Sequence, residues 1–123
     1  AVLDWELSTL GHPLADFAYH VMTWHIAPGF ISGLGGLDLD ALGIPDEAAY
    51  VAAYQRRTGL DIGPHWDFSL AYNLFRLAAI LQGVGARARA GMATDPEALK
   101  FAAQVPMLAA LGWRFAQRAG RGP

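Results

Sequence analysis

Apolar residues recur at helical spacing along most of this chain, and the stretches where they do not are rich in glycine and proline. The clearest stripe is Leu70, Leu74, Leu77, Leu81 and Val84, a four-three-four-three progression that lines up on one face of a helix. Arg76 lies well off that stripe, and Gly91 is placed to end the helix. Earlier, Leu14, Phe17, Ala18, Val21 and His25 keep the same period behind Pro13, a residue favoured in a first helical turn, so the pattern predicts a helix over about 13 to 25. A second helix is expected to begin near Asp46 and to stop at Gly59, which suits a left-handed end after Arg56, Arg57 and Thr58. Thr94-Asp95-Pro96-Glu97 has the capping-box form and predicts a last helix running to about Arg118, bent at Pro106. On it Leu99, Ala103, Ala110 and Trp113 share one face, and Phe101, Val105, Leu108, Leu111 and Phe115 lie roughly opposite, so burial on both sides is expected.

Between the first two helices, Pro28, Gly29, Gly33, Gly35, Gly36, Gly43 and Pro45 make regular structure improbable over most of residues 26 to 45. A loop of that length is usually functional or mobile. Gly33 to Gly36 reads as a flexible connection, because no Gly-Lys-Ser/Thr ending makes it a phosphate loop. At the start, Ala1-Val2-Leu3-Asp4 is a short apolar run ending at an acid and reads as a buried strand. One strand cannot satisfy its own backbone groups, so its neighbours are expected upstream or in another copy of the chain. With no initiator methionine and no polar lead-in, the sequence reads as a piece of something longer.

Composition narrows the picture. With 123 residues, 54% hydrophobic and 16% charged, the chain suits a single domain and is too short for two lobes. The formal net charge of −2, with arginines scattered among alanines and glycines, argues against nucleic acid as a partner. The absence of cysteine excludes disulfides and thiolate zinc sites and fits a cytoplasmic location. No signal peptide is evident, and the apolar runs are too short to span a bilayer, so no membrane association is expected.

Candidate chemistry gathers near the start. A carboxylate at the end of a buried strand, as at Asp4, can face a cleft in the way magnesium on a nucleotide requires; an aspartate after a strand is also an ordinary turn residue or cap. His12, His20 and His25 are spaced eight and five apart, which does not put neighbours on one helix face, so zinc is not the reading. The aromatic set Trp24, Trp66, Phe68, Tyr72 and Phe75 reads mainly as core. Arg76, in an otherwise apolar helix, calls for an anionic partner, with Asp16 or Asp67 the expected salt bridge. Asp16 itself could pair with His20 one turn on.

The run Asp4-Trp5-Glu6, followed by Gly11-His12-Pro13-Leu14-Ala15-Asp16-Phe17-Ala18, resembles the metal-binding segment of the aminoglycoside phosphotransferase / choline kinase-like family. Leu42-Gly43-Ile44-Pro45, Tyr50-Val51-Ala52-Ala53-Tyr54, Arg57-Thr58-Gly59 and Phe75 to Gly83 look like the branch whose animal relatives are fused to acyl-CoA dehydrogenases, so the resemblance covers nearly the whole chain. It implies a mainly α fold, the helical part of a kinase-like C-terminal lobe with one short N-terminal β-strand, forming a single partial domain over 1 to 123.

In function it implies transfer of a phosphoryl group from ATP, with Mg2+, to a small-molecule hydroxyl of hydroxyacyl type in the parent protein. Asp4 would ligate magnesium, the role of the aspartate in a protein kinase's Asp-Phe-Gly, with Glu6 assisting it or bracing the loop. Asp16 would brace the catalytic loop, and Trp24, His25, Trp66, Tyr72 and Arg76 are candidates for the acceptor pocket. The family's His-Gly-Asp loop and its phosphate-binding lysine find no counterpart here, and Lys100 is remote from the metal segment, so the isolated chain is expected to be inactive. Self-association through residues 1 to 4 is expected of it. A non-catalytic helical module that binds a partner through its last helix is the competing reading.

Overall fold

The computed structural model describes residues 3, 8–29, 33–92 and 95–121. Helix α1, Pro13–Val21, starts where His12 Nδ1 accepts the amide of Leu14 and continues into a 3-10 turn, Met22–His25, so the predicted 13 to 25 segment is helical with a tightened last turn. Helix α2, Glu47–Thr58, is capped by the Asp46 carboxylate on the Ala49 amide and ends at Gly59 with φ 72°, a left-handed value that a side chain disfavours. Helix α3, Trp66–Arg89, is followed by Gly91 at φ 71°. The expected strand at 1 to 4 falls outside the described residues except for Leu3, which is exposed and in no regular element. Every regular element among the described residues is helical.

The last helix is two helices: α4, Ala98–Ala102, and α5, Val105–Ala119. Pro106 sits in the first turn of α5, where its missing N–H removes no helical bond, so the proline starts a helix instead of bending one. Thr94 lies outside the described residues. Glu97, the expected partner in its capping box, holds Lys100 at 2.9 Å.

Helix α3 is the axis on which α1, α4 and α5 pack. Its Leu70, Leu74, Leu77, Ala78 and Leu81 meet Leu108, Leu111 and Phe115 of α5 and Ala18, Met22 and Ile26 from the first helical segment. A smaller cluster of Leu14, Phe17, Val21 and Ile62 carries α2, which has no fully buried residue and docks through half-buried Tyr50, Val51 and Tyr54. The Phe17 and Tyr54 rings stack at 3.7 Å between centroids. The expected two-sided burial of α5 is not found: Phe115, Leu111 and Leu108 are buried, while Trp113 and Ala110 are exposed. Phe68, Tyr72 and Phe75, read as core, likewise point out of α3 into solvent. The glycine patch is not a loose connection either, since Leu34 N donates to Thr23 O and Gly35 N to Ile26 O, each at 2.8 Å. Gly33 lies so close to the Ala27 carbonyl that no β-carbon would fit.

Close approach also fixes α4, because a β-carbon at Gly85 of α3 would collide with Cβ of Ala102, whereas one at Gly83 would meet only the flexible end of Arg87 at 3.5 Å. The same substitution two residues apart therefore has opposite signs. Gly83→Ala should raise unfolding free energy by up to about 1 kcal/mol through helix propensity, and Gly85→Ala should lower it by about 1–3 kcal/mol through overpacking. Urea denaturation of the two variants measures both.

Candidate functional site

The N-terminal approach to α1 and the exposed side of α3 enclose a cleft of about 440 Å3, lined by Ser8, Thr9, Gly11, His12, Ala15, Asp16, Tyr72 and Arg76. Three of the expected site residues, Asp16, Tyr72 and Arg76, thus meet in one place. Asp16 is held on α1 by a helix start that Pro13 and the His12 side chain fix, and Arg76 on α3 one turn beyond Tyr72. The backbone beneath is locked by a buried amide: Asn73 Nδ2 donates to Ala15 O at 2.9 Å and to Ser69 O at 3.0 Å, tying α3 to α1 next to Asp16. Its Oδ1 is buried without a hydrogen bond among the described residues.

The salt bridges expected of Arg76 are not formed. Asp67 is taken by Arg118, whose Nη2 and Nε reach its two carboxylate oxygens at 2.9 and 3.2 Å. That fork geometry suits guanidinium and carboxylate, and it occupies Asp67 in the first turn of α3. Arg76 lies instead over the Tyr19 ring, 5.3 Å from its centroid, a contact that holds the cation without neutralising it. Asp16 is exposed and makes no ion pair among the described residues, and His20 packs on the Trp24 and Tyr50 rings instead of pairing with it. Among the described residues the cleft therefore presents one carboxylate and one guanidinium without an ion-pair partner.

Trp24, His25 and Trp66, also singled out from the sequence, gather elsewhere. His25 Nε2 lies 2.9 Å from Glu47 Oε2, and Trp66 Nε1 donates to Glu47 Oε1 at 2.9 Å. The imidazole and the carboxylate are thus within ion-pair distance, an attraction that is ionic only when His25 is protonated. Trp24 Nε1 donates to Pro45 O at 3.1 Å. The His25 ring meets Phe115 edge-on at 4.8 Å, and Arg118 covers that phenyl ring at 4.1 Å. The His25 interaction, helped by the Trp66 indole and against the opposing effect of burial, holds the Glu47 carboxyl below its ordinary value. Glu47 joins the first helical segment, α2 and α3, and nothing in the sequence marks it beyond a helix-start acid after the Asp46 cap.

The magnesium ligands expected at Asp4 and Glu6 lie outside the described residues. Among the described residues no three His, Asp or Glu side chains gather to hold a metal ion, and no helix is long and apolar enough to cross a membrane.

Comparison with known proteins extends these observations. No family profile matches the chain. A crystal structure from Ralstonia eutropha, provisionally named an aminoglycoside phosphotransferase, is 52% identical and superposes with a TM-score of 0.86 over 96% of this chain and 36% of its own. Mouse acyl-CoA dehydrogenase family member 10 is 39% identical over 122 residues, 98% of this chain and 11% of that protein. Human acyl-CoA dehydrogenase family member 11 is 38% identical over 120 residues, 96% of this chain and 15% of that protein. The chain thus spans a small part of the curated relatives it matches and about a third of the solved one.

The Glu47 cluster has a definite pH signature. A carboxyl lowered in the folded state stabilises the protein fully above its unfolded value, near 4.5, and that contribution is lost as pH falls through the folded value. Thermal unfolding of the chain should therefore lose Tm steadily below pH 4.5. Glu47→Gln keeps an acceptor for Trp66 but not the charge that faces His25, so it should cost about 1 kcal/mol at neutral pH and flatten that acid limb. An unchanged acid limb in the variant would show that Glu47 does not carry it.

Proposed function

We propose, from the premise that the chain belongs to the aminoglycoside phosphotransferase / choline kinase-like family in the branch of acyl-CoA dehydrogenase family members 10 and 11, that it is the metal-carrying helical part of an ATP-dependent phosphotransferase for a small-molecule hydroxyl. The observation that carries this reading is the 52% identity and 0.86 TM-score over 96% of the chain. The same enzyme class accounts for the pattern Asp4-Trp5-Glu6 ahead of Gly11-His12-Pro13 and Asp16.

In this reading Asp4, with Glu6 beside it, holds Mg2+ against the nucleotide phosphates, where the ion offsets charge on the transferring group. The remaining work of this chain is positioning. Asp16 stands exposed at the mouth of the cleft on a helix start anchored by Asn73, which supports its role as the acceptor of hydrogen bonds from the catalytic loop supplied by the rest of the protein. Arg76, steadied by Tyr19 and left without a carboxylate partner among the described residues, suits an anionic portion of the acceptor, with Tyr72 beside it. Trp24, His25 and Trp66 are engaged with Pro45 and Glu47, so we narrow the acceptor pocket to Tyr72 and Arg76. The names of the two dehydrogenase relatives support a hydroxyacyl compound as acceptor. A cytoplasmic site of action is part of the same proposal.

In the longer protein, Asp4→Asn should lower phosphoryl transfer by roughly two orders of magnitude or more, since an amide is a much weaker magnesium ligand. Its circular dichroism should stay that of the wild type. The isolated 123-residue chain should turn over no ATP above background, for want of the proton-accepting loop and the phosphate-binding lysine. Wild-type turnover in the Asp4→Asn protein would make Asp4 a structural residue and end this reading.

A further inference from the structure

Asn73 stands in the apolar stripe of α3, between Leu70 and Leu74, and is wholly buried. An amide is costly in that place, because its Oδ1 finds no hydrogen bond among the described residues and a buried acceptor left unpaired keeps its desolvation penalty. Leucine has the same branched skeleton without a polar atom, and it is what the stripe calls for. What the amide does that leucine cannot is donate in two directions. Its Nδ2 reaches Ser69 O, one turn back on the same helix, at 3.0 Å, and Ala15 O on α1 at 2.9 Å. The first bond joins residues that the helix already holds together. The second links positions 58 apart in sequence and fastens α1 to α3.

Resting on the reading of Asp16 as the brace of the catalytic loop, we propose that Asn73 is a positioning residue for phosphoryl transfer, acting through Asp16 by fixing the first turn of α1 on α3. Ala15 and Asp16 are consecutive in that turn, so the carbonyl that Asn73 grips belongs to the peptide unit that enters Asp16. The unit is planar, and holding its oxygen therefore orients the backbone from which the Asp16 side chain projects. A carbonyl oxygen has two lone pairs, so it takes the Asn73 proton without leaving its place in the helix. Asp16 itself is exposed and makes no ion pair among the described residues, and its position in the cleft is inherited from this backbone. The packing of α1 supplies a different kind of constraint. Ala18 joins the α3 core, and Leu14, Phe17 and Val21 gather with Ile62. Such contacts are non-directional, whereas a hydrogen bond weakens steeply off its line and so fixes height and rotation. A misplacement of about 1 Å in a positioned group is worth roughly a hundredfold in rate.

The test is a double-mutant cycle in the longer protein, with Asn73→Thr, Asp16→Ala and the two combined, followed as ADP release from Mg2+-ATP with a short hydroxyacyl thioester as acceptor. A threonine in a helix turns its hydroxyl to the carbonyl one turn back, so this variant keeps a bond to Ser69 O and loses the one to Ala15 O. Asn73→Ser makes the same change with less bulk. Asn73→Thr should lower kcat at least about tenfold with the KM for ATP within about twofold of the wild type. Where Asp16 is already alanine, it should lower kcat no further than about twofold. Its urea midpoint should stay near that of the wild type, because an unpaired oxygen leaves together with the lost bond. Wild-type kcat in both Asn73 variants, beside a slow Asp16→Ala protein, would overturn the proposal and leave the bracing role of Asp16 standing. A loss of the same size with Asp16 present and absent would also overturn it and make Asn73 a residue of the fold alone. Wild-type kcat in Asp16→Ala would end the bracing reading itself, and this proposal with it.

Discussion

Burial of one face of α3 is the constraint on which the rest of the structure depends. Leu70, Leu74, Leu77 and Leu81 are each less than a tenth exposed, and they are covered by two elements far apart in sequence, the first helical segment and α5. Helices α4 and α5 must also come close to α3, and the chain permits it with glycine at Gly85, where a side chain would strike Ala102 of α4, and at Gly112 of α5, where it would crowd Leu74. Dispersion and the hydrophobic effect reward that approach over the whole stripe. Once α1 is seated, Asn73 fastens it through Ala15 O, and the orientation of Asp16 toward the cleft follows from that seating.

The charged clamp around Glu47 is of a different kind, because it secures an element that the core does not reach. Helix α2 buries no side chain fully, so its position rests on the Tyr50 and Tyr54 rings and on Glu47, which faces His25 and Trp66. A half-buried carboxylate with two partners is favourable only while both remain in place, since removing one leaves charge without compensation. Trp24, His25 and Trp66 are thus held by Pro45 and Glu47, which gives them a structural role in securing α2.

Much of the fold was legible because helix ends carry local chemistry. Asp46 and Gly59 bound α2 where cap and left-handed glycine predict, and the leucine stripe of α3 is buried as its period requires. The errors share a cause, which is that sequence periodicity records apolarity but not what covers it. Phe68, Tyr72, Phe75 and Trp113 are as apolar as core residues and remain exposed in this chain. Pro106 was visible as a break, yet only the packing of Ala102 on Gly85 shows that the break separates two helices and not the halves of one. Glu47 could not be found from sequence, because its partners lie 22 residues before it and 19 after it and no local pattern links them. The resemblance of Asp4 to Asp16 to a phosphotransferase segment rests on residue types in order, which can be read without knowledge of their surroundings.

Tyr72 gives two concave surfaces a physical connection. Its ring lines the polar cleft with Asp16 and Arg76, and it also forms a wall of an apolar groove between α3 and α5 with Phe75 and Trp113. At 49% exposure it is only half covered among the described residues, so it belongs to both surfaces at once. On the proposed function, Tyr72 would therefore tie the acceptor side of the cleft to the packing of the apolar groove.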